Sequence, residues 1–298
     1  MIRRFAAPLV AVAAILMVSF GIASAKPRAV IPDRVGTPYV GAITIDAASG
    51  RVLFEDHADA QGYPASVQKT MTLLVVLDKV NRGALKLDER VPVTVEAAKM
   101  GGSQVFLDPK ESFPVEELLY ALMVESANDA AVALADYVGG SVPGFVELMN
   151  QKAKAIGMTR TVFHSVHGLP PSQGSEPDLT TARDLSLLGR ELVLKYPQAL
   201  KYTSTVKRGF RNNTFIMQNH DHLLKNYPGC DGIKTGYFTK AGYSILATAT
   251  RNNRRVITVV LGADKGKNPR HPNLARDEMA SELMTKGFEA LSTMAAGK

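Results

Sequence analysis

Residues 63 to 80 read YPASVQKTMTLLVVLDKV: a serine, Ser66, stands three positions before a lysine, Lys69, and an almost unbroken apolar run follows. Met71, Leu73, Leu74, Val75, Val76 and Leu77 cover every side of a helix, which predicts a buried helix from about Ser66 to Val80. Ser66 and Lys69 then occupy its first turn, and the i, i+3 spacing puts both side chains on one face. A helix start offers free backbone NH groups and a positive local potential. Burial and that potential both disfavour an ammonium, so the lysine's pKa is expected to fall, and a neutral amine can accept the proton of the neighbouring hydroxyl. A serine N-cap with a snorkelling lysine has the same spacing. So does a second copy, Ser204 to Lys207, which runs into Arg208-Gly209 with no apolar helix behind it. Spacing alone is therefore not a site.

Outward from this helix, the pattern alternates between strands and helices. "YVGAITIDAASGRVLFEDH" reads as a hairpin, with strands at Val40 to Asp46 and Arg51 to Glu55 around an Ala-Ser-Gly turn. Further helices are expected at about Val115 to Val124 and Asp129 to Tyr137. Residues 140 to 200 read as mostly helical, broken by "HGLPPSQGSEPD". "DGIKTGY", "YSILATAT" and "RVITVVLGA" are strand-like runs separated by "TKAG" and "RNNR", and a helix from about Leu274 to Met294 closes the chain. Strands at both ends with helices between them predict one α/β unit whose terminal strands share a sheet.

The chain of 298 residues is 46% hydrophobic and 21% charged, which suits a globular fold with a sizeable core. It opens with Arg3 and Arg4, an apolar stretch from Phe5 to Ile22, and Ala23-Ser24-Ala25 in the pattern of a signal peptidase site. A signal peptide over residues 1–25, cleaved after Ala25, is expected. The alternative is an uncleaved membrane anchor, since the stretch approaches the roughly 20 residues that span a bilayer. Without Arg3 and Arg4 the net charge of +7 falls to +5 and is spread along the chain, so nucleic acid is not indicated as a partner. Cys230 is the only cysteine, so no internal disulfide can form. Export with one cysteine fits a bacterial periplasm or cell exterior.

Two further motifs support the serine and lysine. "VESANDAAVALADYV" places Ser126 and Asn128 in a break between two apolar helices, and "GCDGIKTGYFTKAGYSI" places Lys234-Thr235-Gly236 on a strand. A capping turn and a solvent-facing strand edge are their ordinary structural readings. Together the three motifs resemble those of the penicillin-interacting serine enzymes, the penicillin-binding proteins and class A β-lactamases. The resemblance is closer to the low-molecular-mass D-alanyl-D-alanine carboxypeptidases and their endopeptidase relatives. It is carried also by "FHSVHGLPP", "TTARDL", "NHDHLL" and "AGYSILATATR", and it runs from about Pro38 to Phe288.

That resemblance implies a β-lactamase/transpeptidase-like α/β fold: an antiparallel sheet flanked by helices, a mainly helical subdomain bearing Ser-x-Asn, and a groove between them. It implies Ser66 as nucleophile, Lys69 as its base and Ser126 as proton relay to the leaving D-alanine nitrogen. Asn128 would hold the substrate amide. Lys234 would supply positive potential, and Thr235 a hydroxyl for the terminal carboxylate. Gly236 would let the strand lie close to the ligand. The backbone NH groups of Ser66 and Tyr237 would form the oxyanion hole. The family's carboxylate-binding arginine matches Arg276 best, counting back from "KGF", with Arg270 as the substitute. Implied partners are a peptidoglycan stem peptide and β-lactam inhibitors; no cofactor or metal is implied, and membrane association only if the signal segment stays uncleaved.

Residues 26–298 are then expected to form one D,D-peptidase catalytic domain. Only about ten residues follow Phe288, so the β-rich second domain and amphipathic helix of many such carboxypeptidases are not expected. Four rival readings remain. D,D-endopeptidase activity is one. A class A-like β-lactamase is another, since "SEPDL" around Glu176 resembles the loop whose glutamate activates the deacylating water; the neighbouring Gly- and Pro-rich stretch instead predicts a solvated Glu176. His164-x-x-His167 and His220-x-His222 raise a metallopeptidase, without the His-Glu-x-x-His set. The last is a non-catalytic wall-binding or β-lactam-sensing protein.

Overall fold

The structure, a computed structural model, describes residues 1–2, 37–265, 271 and 273–296. Everything below concerns the unit Pro32–Lys298. Apart from Met1 and Ile2, the expected signal peptide lies outside the described residues, as does Arg270.

In chain order the elements are β1 (Gly41–Asp46), β2 (Val52–Asp56), α1 (Lys69–Asn81), β3 (Arg90–Pro92), α2 (Val95–Ala98), β4 (Ser112–Pro114), α3 (Val115–Tyr120), α4 (Asn128–Gly139) and α5 (Val142–Ala155). There follow α6 (Ala182–Lys195), α7 (Leu200–Thr203), β5 (Lys207–Phe210), β6 (Phe215–Gln218), α8 (Leu223–Asn226), β7 (Cys230–Phe238), β8 (Gly242–Arg251), β9 (Arg254–Ala263) and α9 (Leu274–Ala296). Five strands form one antiparallel sheet in the order β2-β1-β9-β8-β7. The strands from the two ends of the chain thus pair as expected, through β1 against β9.

Nearly continuous apolar strands arise because both faces of this sheet are covered, and the strand period of two sorts side chains between two cores. Ile245, Ala247 and Ala249 of β8, with Val256 and Val260 of β9, pack towards Met284 and Phe288 of α9. Their neighbours Leu246, Ile257, Val259 and Leu261 join the larger core with α1 and α6. The apolar helix α1 is buried from Lys69 to Leu77, as its all-round pattern predicts. The helical layer carries the Ser-x-Asn motif, and β7 is an edge strand facing the start of α1.

Candidate active site

Ser66 sits in a tight 3-10 turn, Ala65–Gln68, that leads into α1 at Lys69. The turn is entered through Ala65 at φ +48°, a left-handed conformation unusual for a residue with a Cβ. A loop closes over it: a Cβ at Gly168 would lie 2.1 Å from the Ala65 carbonyl oxygen, so only glycine fits there. Lys69 is fully buried. Its Nζ lies 2.9 Å from Ser66 Oγ and donates to the His167 carbonyl at 2.8 Å. Burial, with the charge of nearby Lys234 adding to it, holds the Lys69 ammonium well below the usual lysine range. The opposing Asp129 carboxylate is occupied by the backbone NH groups of Val105 and Leu107. An amine whose burial favours loss of its proton, 2.9 Å from a hydroxyl, has the geometry of a general base beside its nucleophile.

The Ser-x-Asn motif follows a stretch of π-helix, Ala121–Glu125, which ends in Ser126 at φ +62°. Such a conformation costs about 1–3 kcal/mol in a non-glycine residue and persists where the surroundings impose it. Ser126 and Asn128 are each 2% exposed. Asn128 Nδ2 donates to the Gly101 carbonyl at 2.7 Å. Ser126 Oγ and Asn128 Oδ1, both buried, have no protein partner among the described residues. Unmet buried polar atoms cost about 1–3 kcal/mol each, so these two are the atoms of the motif still able to take a hydrogen-bonding partner.

On β7, Lys234 and Thr235 are 3% and 4% exposed, which removes the solvent-facing edge as an explanation. Burial draws the Lys234 ammonium down to about 7; Asp221 and Glu125 oppose that shift, and Arg276 adds to it. Beside the expected approach of a ligand, Gly236 has a role within the fold. A Cβ there would stand 2.8 Å from the Ser66 backbone nitrogen and 2.9 Å from that of Val67. The missing side chain first lets the strand lie against the serine's own turn. The half-exposed Tyr237 stacks on Tyr243 with ring centroids 4.1 Å apart.

A cleft of about 650 Å³ joins these parts, lined by Ser66, Ser126, Thr235, Gly236, Tyr237 and Arg276. Lys69 and Lys234 are buried, touching Ser66 and Thr235. Ser103, Gln218, Asn219, Tyr243 and Asn273 also line the cleft. No local spacing singles them out, except that Asn219 belongs to "NHDHLL" and Tyr243 to "AGYSILATATR".

His220 and His222 border the same cleft, whereas His164 and His167 lie in another cavity with Glu176. Burial lowers His167 and His220 to about 4 each, so both imidazoles are neutral at neutral pH. The second Ser-x-x-Lys copy is no site: Ser204 Oγ donates to the Leu200 carbonyl, and Lys207 is solvent-exposed on β5.

Comparison with known proteins agrees with this geometry. Over residues 39–265 the chain matches the family model described as D-alanyl-D-alanine carboxypeptidase, peptidase S11. It is 39% identical over 229 residues to the D-alanyl-D-alanine carboxypeptidase DacF of Bacillus subtilis, an alignment covering 76% of this chain and 58% of that protein. A D-alanyl-D-alanine endopeptidase of Pseudomonas aeruginosa is 32% identical over 249 residues, covering 81% of this chain and 76% of that protein. The fold superimposes on penicillin-binding protein D2 of Listeria monocytogenes in its ampicillin-bound form with a TM-score of 0.74 and 29% identity, over 86% of this chain and all of that one. With three motifs converging on one cleft and the family match spanning most of its length, the chain belongs to the D-alanyl-D-alanine carboxypeptidase family, peptidase S11.

Proposed function

We propose that the protein is a serine D,D-carboxypeptidase that removes the terminal D-alanine of peptidoglycan stem peptides through an acyl-enzyme, and that β-lactams acylate the same serine. The observation that carries this is the buried Lys69 amine 2.9 Å from Ser66 Oγ. Neutral Lys69 takes the hydroxyl proton as Oγ attacks the carbonyl of the penultimate D-alanine. The backbone NH groups of Ser66 and Tyr237 receive the oxyanion. Ser126, whose Oγ has no other protein partner among the described residues, relays the proton that Lys69 took up to the D-alanine nitrogen as its C–N bond breaks, which returns Lys69 to the neutral form. Asn128 Oδ1 accepts from the substrate amide, and Lys234, Thr235 and Arg276 gather around its carboxylate. Water then hydrolyses the ester. Residues 26–298 form the catalytic domain, exported by residues 1–25 to the cell-wall compartment.

The test is incubation of the purified protein with monomeric pentapeptide muropeptide and with a D,D-crosslinked dimer, the products being identified by mass. D-alanine released from the pentapeptide supports the reading, and an untouched pentapeptide overturns it. Cleavage of the dimer adds the endopeptidase reading, favoured by the Pseudomonas relative, of which the chain spans more than it does of DacF.

The acyl-enzyme is expected to last for minutes or longer. Glu176 is solvent-exposed and lines a cavity with His164 and Pro170, while Ser66 lines the other cleft. A deacylating base must reach a water beside the acylated oxygen. Glu176→Gln should therefore leave the penicilloyl-enzyme lifetime within about two-fold of wild type. Rapid penicillin turnover that this substitution abolishes would make the protein a β-lactamase.

Acylation should also fall as pH rises. Lys234 acts here as a cation, and burial has drawn it down to about 7, so deprotonation above that pH removes the charge. The second-order acylation constant reports the free enzyme and should show this falling limb. Asp221 is the largest influence keeping Lys234 charged, so Asp221→Asn should move the limb to lower pH. A pH profile with the limb unmoved would disconnect it from Lys234.

A further inference from the structure

Arg276 reaches the cleft with two of its five N–H donors already engaged. It lies in the first turn of α9, 3% exposed, and its Nε donates to Asp277 Oδ1 at 2.9 Å while one terminal amino group donates to the same oxygen at 2.5 Å. Residues i and i+1 of a helix point in different directions, so this is no default helical pair; the guanidinium has to fold back over the helix start to make it. Asp277 is itself 5% exposed. Its other oxygen, Oδ2, lies 3.2 Å from Nδ1 of His222, which sits just ahead of α8. His222 lines the cleft beside Arg276. One buried carboxylate therefore holds a guanidinium from α9 and an imidazole from a distant segment.

We propose that Asp277 is a positioning residue that clamps Arg276 towards the cleft and locks it to the His222 segment, so that the ligand's carboxylate meets a guanidinium already fixed in direction. The proposal rests on the function assigned above. An arginine side chain has many rotamers, and ordering it only when the ligand arrives would subtract from affinity. The clamp moves that ordering into folding. Asp277 also sets a negative charge directly behind Arg276, in a region where Lys69, Lys234 and Arg276 crowd three basic groups together. Among the described residues no protein acceptor meets the remaining amino group of Arg276, and the side chain borders the cleft.

The test compares benzylpenicillin, which carries the carboxylate, with its methyl ester, which does not, as acylating probes. Asp277→Ala should lower the second-order acylation constant for benzylpenicillin at least ten-fold and that for the ester less than two-fold. Asp277→Asn, which keeps an acceptor but loses the charge, should fall between wild type and Asp277→Ala. In an Arg276→Ala background, adding Asp277→Ala should change either constant less than two-fold, because the clamp then has nothing to hold. Equal losses for the two probes, as misfolding would give, or an undiminished loss in the Arg276→Ala background, overturns the proposal. Both probes report acylation of Ser66 and not D-alanine release, so failure of the clamp is distinguishable from failure of the carboxypeptidase reading, which the pentapeptide assay decides.

Discussion

Ser66→Ala is expected to abolish covalent labelling by a fluorescent penicillin while leaving the fold intact. Oγ is the atom that would carry the acyl group, and no neighbouring hydroxyl is equivalently placed. Ser126 Oγ has no hydrogen-bond partner among the described residues, whereas Ser66 Oγ has the Lys69 amine at 2.9 Å. Ser204, which shares the motif spacing, is turned back onto the Leu200 carbonyl. The substitution removes one exchangeable hydroxyl in a turn whose shape is set by backbone contacts with Gly168 and Gly236, so unfolding is not the expected cause of the loss. Mass spectrometry of the labelled peptide gives the location directly. A label found on Ser204, or one retained in Ser66→Ala, would overturn the motif assignment from which the site was built.

Much of this arrangement can be read from short-range pattern. The all-round apolar run predicts a buried α1, and the strand runs of β7 to β9 fall where turn residues bound them. The Ser-x-x-Lys spacing predicts that two side chains share a face, and they meet at 2.9 Å. Three kinds of feature escape such reading because distant neighbours decide them. Ala65 and Ser126 adopt positive φ, but neither residue type asks for it; Ala65 lies under the loop at Gly168, and Ser126 stands at the end of the π-helix. Gly236 reads as room for a ligand, but its nearest obstacle is the backbone of Ser66 and Val67, far away in sequence. Arg276 is found by counting back from "KGF", whereas the hold of Asp277 on it runs between helix neighbours that spacing rules would keep apart.

The Lys69 environment leads to the second large effect. Lys69→Arg is expected to retain the fold and lose roughly 10³-fold in acylation rate, within the range usual for removing a general base. The argument turns on charge. Lys69 is wholly enclosed and faces the charge of Lys234, so its amine gives up a proton far more readily than a solvated lysine does. A guanidinium in the same place stays protonated at any working pH and offers no lone pair to Ser66. It still satisfies the His167 carbonyl, to which Lys69 Nζ donates at 2.8 Å, so the loop that closes over the turn keeps its anchor. Lys69→Met separates chemistry from packing, since it fills similar apolar space with neither base nor charge, and its acylation should fall to the same level. If the lysine's contribution were its positive charge, Lys69→Arg would acylate almost normally and Lys69→Met alone would fail. Near-normal acylation of Lys69→Arg by stopped-flow fluorescence would therefore assign the base to another residue and reduce Lys69 to an electrostatic support.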